Sequence, residues 1–118
     1  REALKIGKEA LGLYKEMGDK TGEAGALLAM ANIQIANNMP TDALKSAKDA
    51  RELYQELGNV EGQVQGFQTS ASVFLVQGRK DEALREAAEA KDLCKTIGDQ
   101  AAEAVALQVF ANVHLAFI

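Results

Sequence analysis

The chain repeats itself every forty residues. The segments EALKIGKEALGLYKEMGD (2–19), DALKSAKDARELYQELGN (42–59) and EALREAAEAKDLCKTIGD (82–99) align without a gap. Leu4, Leu44 and Leu84 coincide, as do Ala10, Ala50 and Ala90, and then Leu13, Leu53 and Leu93. Met17, Leu57 and Ile97 share one apolar place, each followed by glycine. The intervening segments GEAGALLAMANIQIANN, GQVQGFQTSASVFLVQG and AEAVALQVFANVHLAFI keep the same offset. They superpose Leu27, Phe67 and Leu107, and likewise Ala31, Ala71 and Ala111. A period of this length over a whole chain requires one supersecondary unit stacked on copies of itself, because a single unit cannot bury its apolar face alone.

The unit reads as a pair of helices. Leu4, Gly7, Ala10, Tyr14 and Met17 recur at three- and four-residue steps, which is one helical stripe. Gly18, Gly58 and Gly98 supply the left-handed residue that ends a helix, and Asp19, Asn59 and Asp99 follow as caps for the next one. In the other segments, Asn37–Asn38 and Gln77–Gly78 mark the stop, with Pro40 beyond the first of them. Joints this short force neighbouring helices antiparallel.

Charge decides which helix is inside. Residues 21–38, 60–78 and 100–118 each contain one ionised side chain, Glu23, Glu61 and Glu103, all in a first turn where negative charge suits the helix dipole. Residues 1–17 and 41–57 carry seven charges each and 81–97 carry eight. One helix of each pair is therefore expected to be sandwiched and the other to face water. "DEALREAAEAKD" is read as a solvated face, with Asp81 four residues before Arg85 as a helical ion pair.

The net charge of −4 argues against a nucleic-acid surface, which needs a dense basic footprint. Cys94 is the single cysteine, so no internal disulfide forms, and a reducing, intracellular compartment such as the cytoplasm is expected. Residues 101–118 are the most apolar stretch. Glu103, Gln108, Asn112 and His114 interrupt it, so neither a membrane span nor attachment to a membrane surface is expected. The chain opens on Arg1 and closes on HLAFI without a stop signal, and is expected to be part of a longer polypeptide.

Helix pairs with alanine in the close-packing place, GRKDEAL at a bend, and the tails LYKEMGD and LYQELGN resemble tetratricopeptide repeats. The forty-residue type is similar to the repeats of kinesin light chains and Pins-type scaffolds. The resemblance implies an all-α fold, a right-handed α-solenoid of stacked antiparallel helix hairpins, in a single repeat domain over 1–118. Residues 1–18 would be the second helix of a preceding repeat, 22–59 and 62–99 full repeats, and 101–118 the first helix of a following one. The family's usual glycine is replaced by Ala31, Ala71 and Ala111, and its usual tyrosine by Gln34, Phe74 and His114.

The resemblance also implies a concave groove lined by the first helices, whose usual guest is an extended peptide. In the first repeat the groove falls on Gly25, Leu28, Asn32, Ile35 and Ala36, which share one helical face. The matching residues are Gln65, Gln68, Ser72, Leu75 and Val76, then Val105, Gln108, Asn112, Leu115 and Ala116. The amides can donate to and accept from a peptide backbone without adding charge, and Ile35, Leu75 and Leu115 can take apolar side chains. The carboxylate clamp by which some family members grip acidic chaperone tails needs Lys or Arg on these helices. Residues 21–38, 60–78 and 100–118 contain none.

His114 is the only histidine and takes the packing place of Phe74, and Cys94 takes the place of Tyr14 and Tyr54, so both are read as structural. No metal site, cofactor or catalytic constellation is expected, and the chain is not expected to be an enzyme. Two functions stay open. One is a protein-interaction adaptor that binds a peptide in the groove. The other is a subunit or linker of a larger assembly, docking through convex or terminal helix surfaces. Self-association through 101–118 belongs to the second, because Phe117 and Ile118 replace the polar turn residues found forty and eighty places earlier.

Ala71→Leu is expected to destabilise the fold by about 1–3 kcal/mol, since a close helix crossing has no room for the extra atoms. Urea denaturation checks this; an unchanged midpoint would mean that the helix pairing is misassigned.

Overall fold

A computed structural model describes residues 2–117. It has six helices: α1 (Glu2–Met17), α2 (Lys20–Ala36), α3 (Pro40–Glu56), α4 (Val60–Val76), α5 (Lys80–Ile97) and α6 (Gln100–Ala116). Among the described residues there is no strand. Arg1, and Ile118 of the terminal turn considered above, lie outside them.

All five joints are built alike. Gly18, Asn38, Gly58, Gly78 and Gly98 adopt φ between 59° and 73°. At each joint this left-handed residue bonds back to a carbonyl three residues earlier, and the next residue bonds to one five earlier. An example is Gly58 N to Gln55 O at 3.1 Å with Asn59 N to Tyr54 O at 2.9 Å. Two amides thereby satisfy carbonyls that the helix end leaves free. The next helix starts in two ways. Asp19, Asn59 and Asp99 cap α2, α4 and α6 by accepting from Gly22 N, Gly62 N and Ala102 N at 2.9, 2.9 and 3.1 Å. The α3 and α5 starts have no side-chain cap, and Pro40 opens α3, where a missing N–H costs nothing.

Consecutive helices pack against each other along the whole chain. In addition α2 meets α4 and α4 meets α6, whereas the backbones of α1, α3 and α5 stay apart among the described residues, and α3 reaches α5 through long side chains, Arg51 to Glu86 at 3.7 Å. The result is a slab of 41 × 32 × 16 Å with a crowded even layer and a splayed odd layer. The charge-poor helices are the crowded ones, as the sequence predicts. α2 begins at Lys20, earlier than the sequence reading, and this lysine lies 3.6 Å from Glu56 at the exposed surface.

Alanine dominates the core. Of nineteen buried apolar residues among those described, eleven are alanine, so close approach of helices matters more than large side chains. Ala43, Ala47 and Ala50 on α3 are fully buried, and so are Ala83, Ala87 and Ala90 on α5. Ala47, Ala50 and Tyr54, and then Ala87, Ala90 and Cys94, hold the Gly7, Ala10 and Tyr14 places of the predicted stripe and are buried; only its two ends differ, with Ala43 and Ala83 buried in preference to Leu44 and Leu84. Met17, Leu57 and Ile97 are 66%, 42% and 49% exposed, because they sit at the last turn, where the chain reverses before a neighbour covers them. Asp81 and Arg85 form no ion pair among the described residues; Lys45 and Asp49 do, at 3.2 Å.

The third repeat position departs from the first two at its last helix. Leu27 is buried between Leu11 of α1 and Ala50 and Leu53 of α3, and Phe67 is half-buried with Leu93 packed beside it. Leu107 is 47% exposed, and Ala111 and His114 are exposed as well. The physical reason is simple: each of α2 and α4 is covered by the helix that follows it, and α6 is the last helix among the described residues. His114 therefore does not pack as Phe74 does. It stacks on Phe110 with ring centres 6.3 Å apart.

A compensating pair emerges from packing. A Cβ on Gly22 would lie 2.3 Å from Tyr14 Cδ1, and one on Gly62 would lie 2.3 Å from Tyr54 Cδ1. Forty residues on, the ring is replaced by Cys94 and the glycine by Ala102, both buried in one cluster with Val64, Ala90 and Ala106. A large residue with no Cβ opposite has been exchanged for a small one with a methyl opposite. Cys94→Tyr alone should destabilise by about 1–3 kcal/mol through overpacking. Adding Ala102→Gly should recover part of the loss although glycine is the poorer helix former. A double-mutant cycle measured by denaturation checks the coupling; strict additivity would refute it.

Candidate functional site

The even layer carries two clefts in line. The first, about 530 Å³, lies between α2 and α4 and is lined by Gly25, Leu28, Ala29, Asn32, Gln65, Gln68, Thr69 and Ser72, with Tyr54 reaching in from α3. The second, about 220 Å³, lies between α4 and α6 and is lined by Glu61, Val64, Gln65, Gln68, Ala102 and Val105. Gln65 and Gln68 belong to both. They do so because they lie three residues apart on one face of α4, the helix flanked on both sides by even neighbours.

The polar groups of the first cleft are mostly uncommitted. Among the described residues the side-chain amides of Asn32, Gln65 and Gln68 make no hydrogen bond within the chain. Ser72 Oγ donates to Gln68 O at 3.1 Å and Thr69 Oγ1 to Gln65 O at 2.9 Å, and each keeps acceptor capacity. No ionised side chain lines this cleft. Sequence reasoning missed Tyr54, which sits on a charged outer helix. Its Oη lies 3.8 Å from where a Cβ of Gly25 would stand. The recurrence of tyrosine at positions 14 and 54 opposite Gly22 and Gly62 was the available signal.

The remaining groove residues are placed differently. Ile35 closes a narrow crevice with Pro40, Val73 and Val76. Leu75 packs against the cluster of Ala71, Ala83, Ala87, Val109 and Val113, so its side chain is engaged in the core. Gln108, Asn112 and Leu115 are exposed on α6 and line neither cleft. Helical spacing identifies a face but not how far a neighbouring helix leans over it, and that angle separates Gln68 from Leu75.

The odd side is charged. A broad cleft of about 650 Å³ between α1 and α3 carries Lys15, Glu23, Asp49, Glu52 and Glu56, and a smaller one between α3 and α5 carries Arg51, Glu89 and Asp92. Cys94 is fully buried, and burial, with Asp99 and Glu103 nearby, pushes its thiol above the ordinary range. Among the described residues no three of His, Cys, Asp and Glu converge as a metal site would require, and no helix is long and apolar enough to cross a membrane.

Behind the clefts, polar groups inside the fold are paired. Ser46 Oγ donates to Gln34 Oε1 at 2.7 Å in a buried bond, with Gln34 in the place held forty residues later by Phe74. Arg51 lies over the Phe67 ring at 4.4 Å and 3.7 Å from Glu86. Burial raises the Glu86 carboxyl above the ordinary carboxylate range. That outweighs the opposing pull of Arg51 and of the Ser70 hydroxyl, while Glu89 adds to the rise and Arg85 opposes it.

No protein-family model matches the chain, and no curated protein is significantly similar to it. The residues themselves therefore carry the functional reading.

A raised native value means that the fold prefers the neutral carboxyl. Its contribution to stability is fully present below the unfolded range and is lost as pH rises through the native value. Glu86→Gln should therefore melt no lower than the parent chain at neutral pH, and the difference should vanish in acid. Thermal melts at several pH values check this; a clear neutral-pH loss would mean that the Arg51 ion pair dominates.

Proposed function

We propose that the chain is a tetratricopeptide-type helical repeat module that binds an extended peptide segment along its even-helix layer. In that family's arrangement the hairpins coil into a right-handed superhelix with the even helices on the concave side. The observation that supports the reading best is the pair of clefts sharing Gln65 and Gln68, with uncommitted amides beside apolar Leu28, Val64 and Val105. A peptide main chain offers alternating donors and acceptors, and amides match both without fixing the guest's charge. The neutral lining of the first cleft favours a guest without a charge cluster there, Glu61 borders the second, and the absence of Lys and Arg from both argues against a terminal-carboxylate clamp. On this reading the protein is a non-catalytic adaptor or scaffold.

A second reading, docking through terminal helix surfaces within a larger assembly, draws on different residues. Leu107 and Leu115 on α6 are 47% and 69% exposed, and Ile6 and Leu13 on α1 are 56% and 59% exposed. These are large apolar side chains at the two ends of the stack.

The peptide reading predicts an outcome for a paired substitution. Gln65→Ala with Gln68→Ala should weaken a peptide selected from a random library by about tenfold, the equivalent of two neutral hydrogen bonds at roughly 0.5–1.5 kcal/mol each. Both side chains lie at the cleft surface, so the melting temperature should hardly move. Isothermal titration and thermal melts provide the check. Unchanged affinity for every selected peptide would exclude the cleft as the binding surface.

A further inference from the structure

We infer that the peptide held by the even layer carries a basic side chain, Lys or Arg, whose charged end pairs with Glu61 in the cleft between α4 and α6. The inference rests on the peptide reading and goes beyond it, because it fixes the charge of one guest side chain and its place along the groove.

Among the described residues Glu61 is the one ionised side chain lining either inner cleft. It is exposed, and among the described residues it enters no ion pair. An acid in the first turn is favoured by the helix dipole on whichever side of the helix it stands. The dipole therefore accounts for the charge but not for the side it faces. In α2 the first-turn acid is Glu23, which lines the outer charged cleft. Its counterpart forty residues on is Gln63, which lines the outer cleft between α3 and α5 and is neutral. The α4 acid stands two residues earlier, and two residues carry a side chain about 200° round a helix. The first-turn charge of α4 thus faces the inner side of the layer. Thr21 and Ala101 hold the place of Glu61 in α2 and α6, so this inner charge belongs to the middle helix alone.

The rest of the lining suits a long cationic side chain. Glu61, Gln65 and Gln68 follow at four- and three-residue steps on one face of α4. Gln65 stands one turn from Glu61, about 6 Å along the helix axis. A residue whose main chain bonds to the Gln65 amide can therefore reach the carboxylate with its side chain. Val64, Ala102 and Val105 supply the apolar part of the cleft. Lys and Arg lay their methylene stems on such surfaces while their charged ends stay in water, where the exposed Glu61 meets them. An acidic guest side chain would meet Glu61 with no Lys or Arg in either cleft to offset the repulsion. Both walls of this cleft, α4 and α6, pack against each other within the chain.

Peptides selected from a random library on the 118-residue chain test this. Those whose binding falls with Gln65→Ala and Gln68→Ala should be enriched in Lys or Arg. Replacing that lysine by norleucine, or the arginine by citrulline, keeps the stem and removes the charge. Affinity by isothermal titration should then drop about two- to fivefold at low salt, the range of an exposed ion pair, and the loss should shrink at high salt. Glu61→Gln should cost the same factor, and both changes together no more than either alone. Glu61→Lys should reverse the preference, so that the glutamate version of the peptide binds more tightly than the lysine one. Glu23→Gln removes a first-turn acid from the outer side and should leave affinity unchanged. Circular dichroism should show unchanged helicity for every variant. Peptides that depend on Gln65 and Gln68 but lack enrichment in Lys or Arg overturn the inference and leave the peptide reading standing. So do strictly additive losses, or a loss on Glu23→Gln equal to that on Glu61→Gln. Selected peptides indifferent to Gln65 and Gln68 overturn both.

Discussion

How closely two helices can approach governs this molecule. Neighbouring axes come together through stripes of alanine, with Gly62 and Gly66 where even a methyl would collide: a Cβ on Gly66 would lie 2.9 Å from Arg51 Cβ. Each small residue removes little apolar area from water. Close approach instead brings backbone and Cβ atoms of adjacent helices into dense contact, where many weak dispersion terms add. The left-handed joints serve the same end, since each reverses the chain within two or three residues and leaves consecutive helices side by side.

That constraint produces two unlike surfaces. Even helices meet one another as well as their chain neighbours, so they tolerate almost no charge beyond the first turn. Odd helices splay apart and keep their charges in water, with the wide cleft around Asp49, Glu52 and Glu56 as the visible consequence. Glu86 is the informative exception. It occupies the stripe position of Ser46 in the previous repeat and is half-buried there, so its carboxyl needs Arg51 and Ser70 and still sits above its usual range. Arg51 in turn needs the Phe67 face. A departure from the repeat at one place is thus answered by residues on two neighbouring helices.

Much of the candidate site was legible in advance. Asn32, Gln65, Gln68 and Ser72 fall on one face by spacing alone, and they do converge on one cleft. Leu75 shares the spacing but not the outcome, because its side chain turns into the core beside Ala71 and Ala83. Tyr54 escaped notice for the opposite reason: its helix reads as an outer, charged element, and its entry into the cleft depends on glycines at 25 and 62 that make room for the ring. The matching exchange of Tyr and Gly for Cys94 and Ala102 can be seen in the letters once known, but nothing local couples residues eight apart on different helices.

The amino-acid sequence alone determined the repeat length, the helix ends and the division into charge-poor and charge-rich rods, because those follow from local backbone preference and from the cost of burying charge. It could not say which apolar residues are covered. Leu27 and Leu107 are the same residue in the same pattern, yet one is buried and the other is not. Burial is a property of what lies opposite, and among the described residues α2 has a sequence neighbour packed on each flank where α6 has one. Tertiary structure decided that, and with it which amides share a cleft.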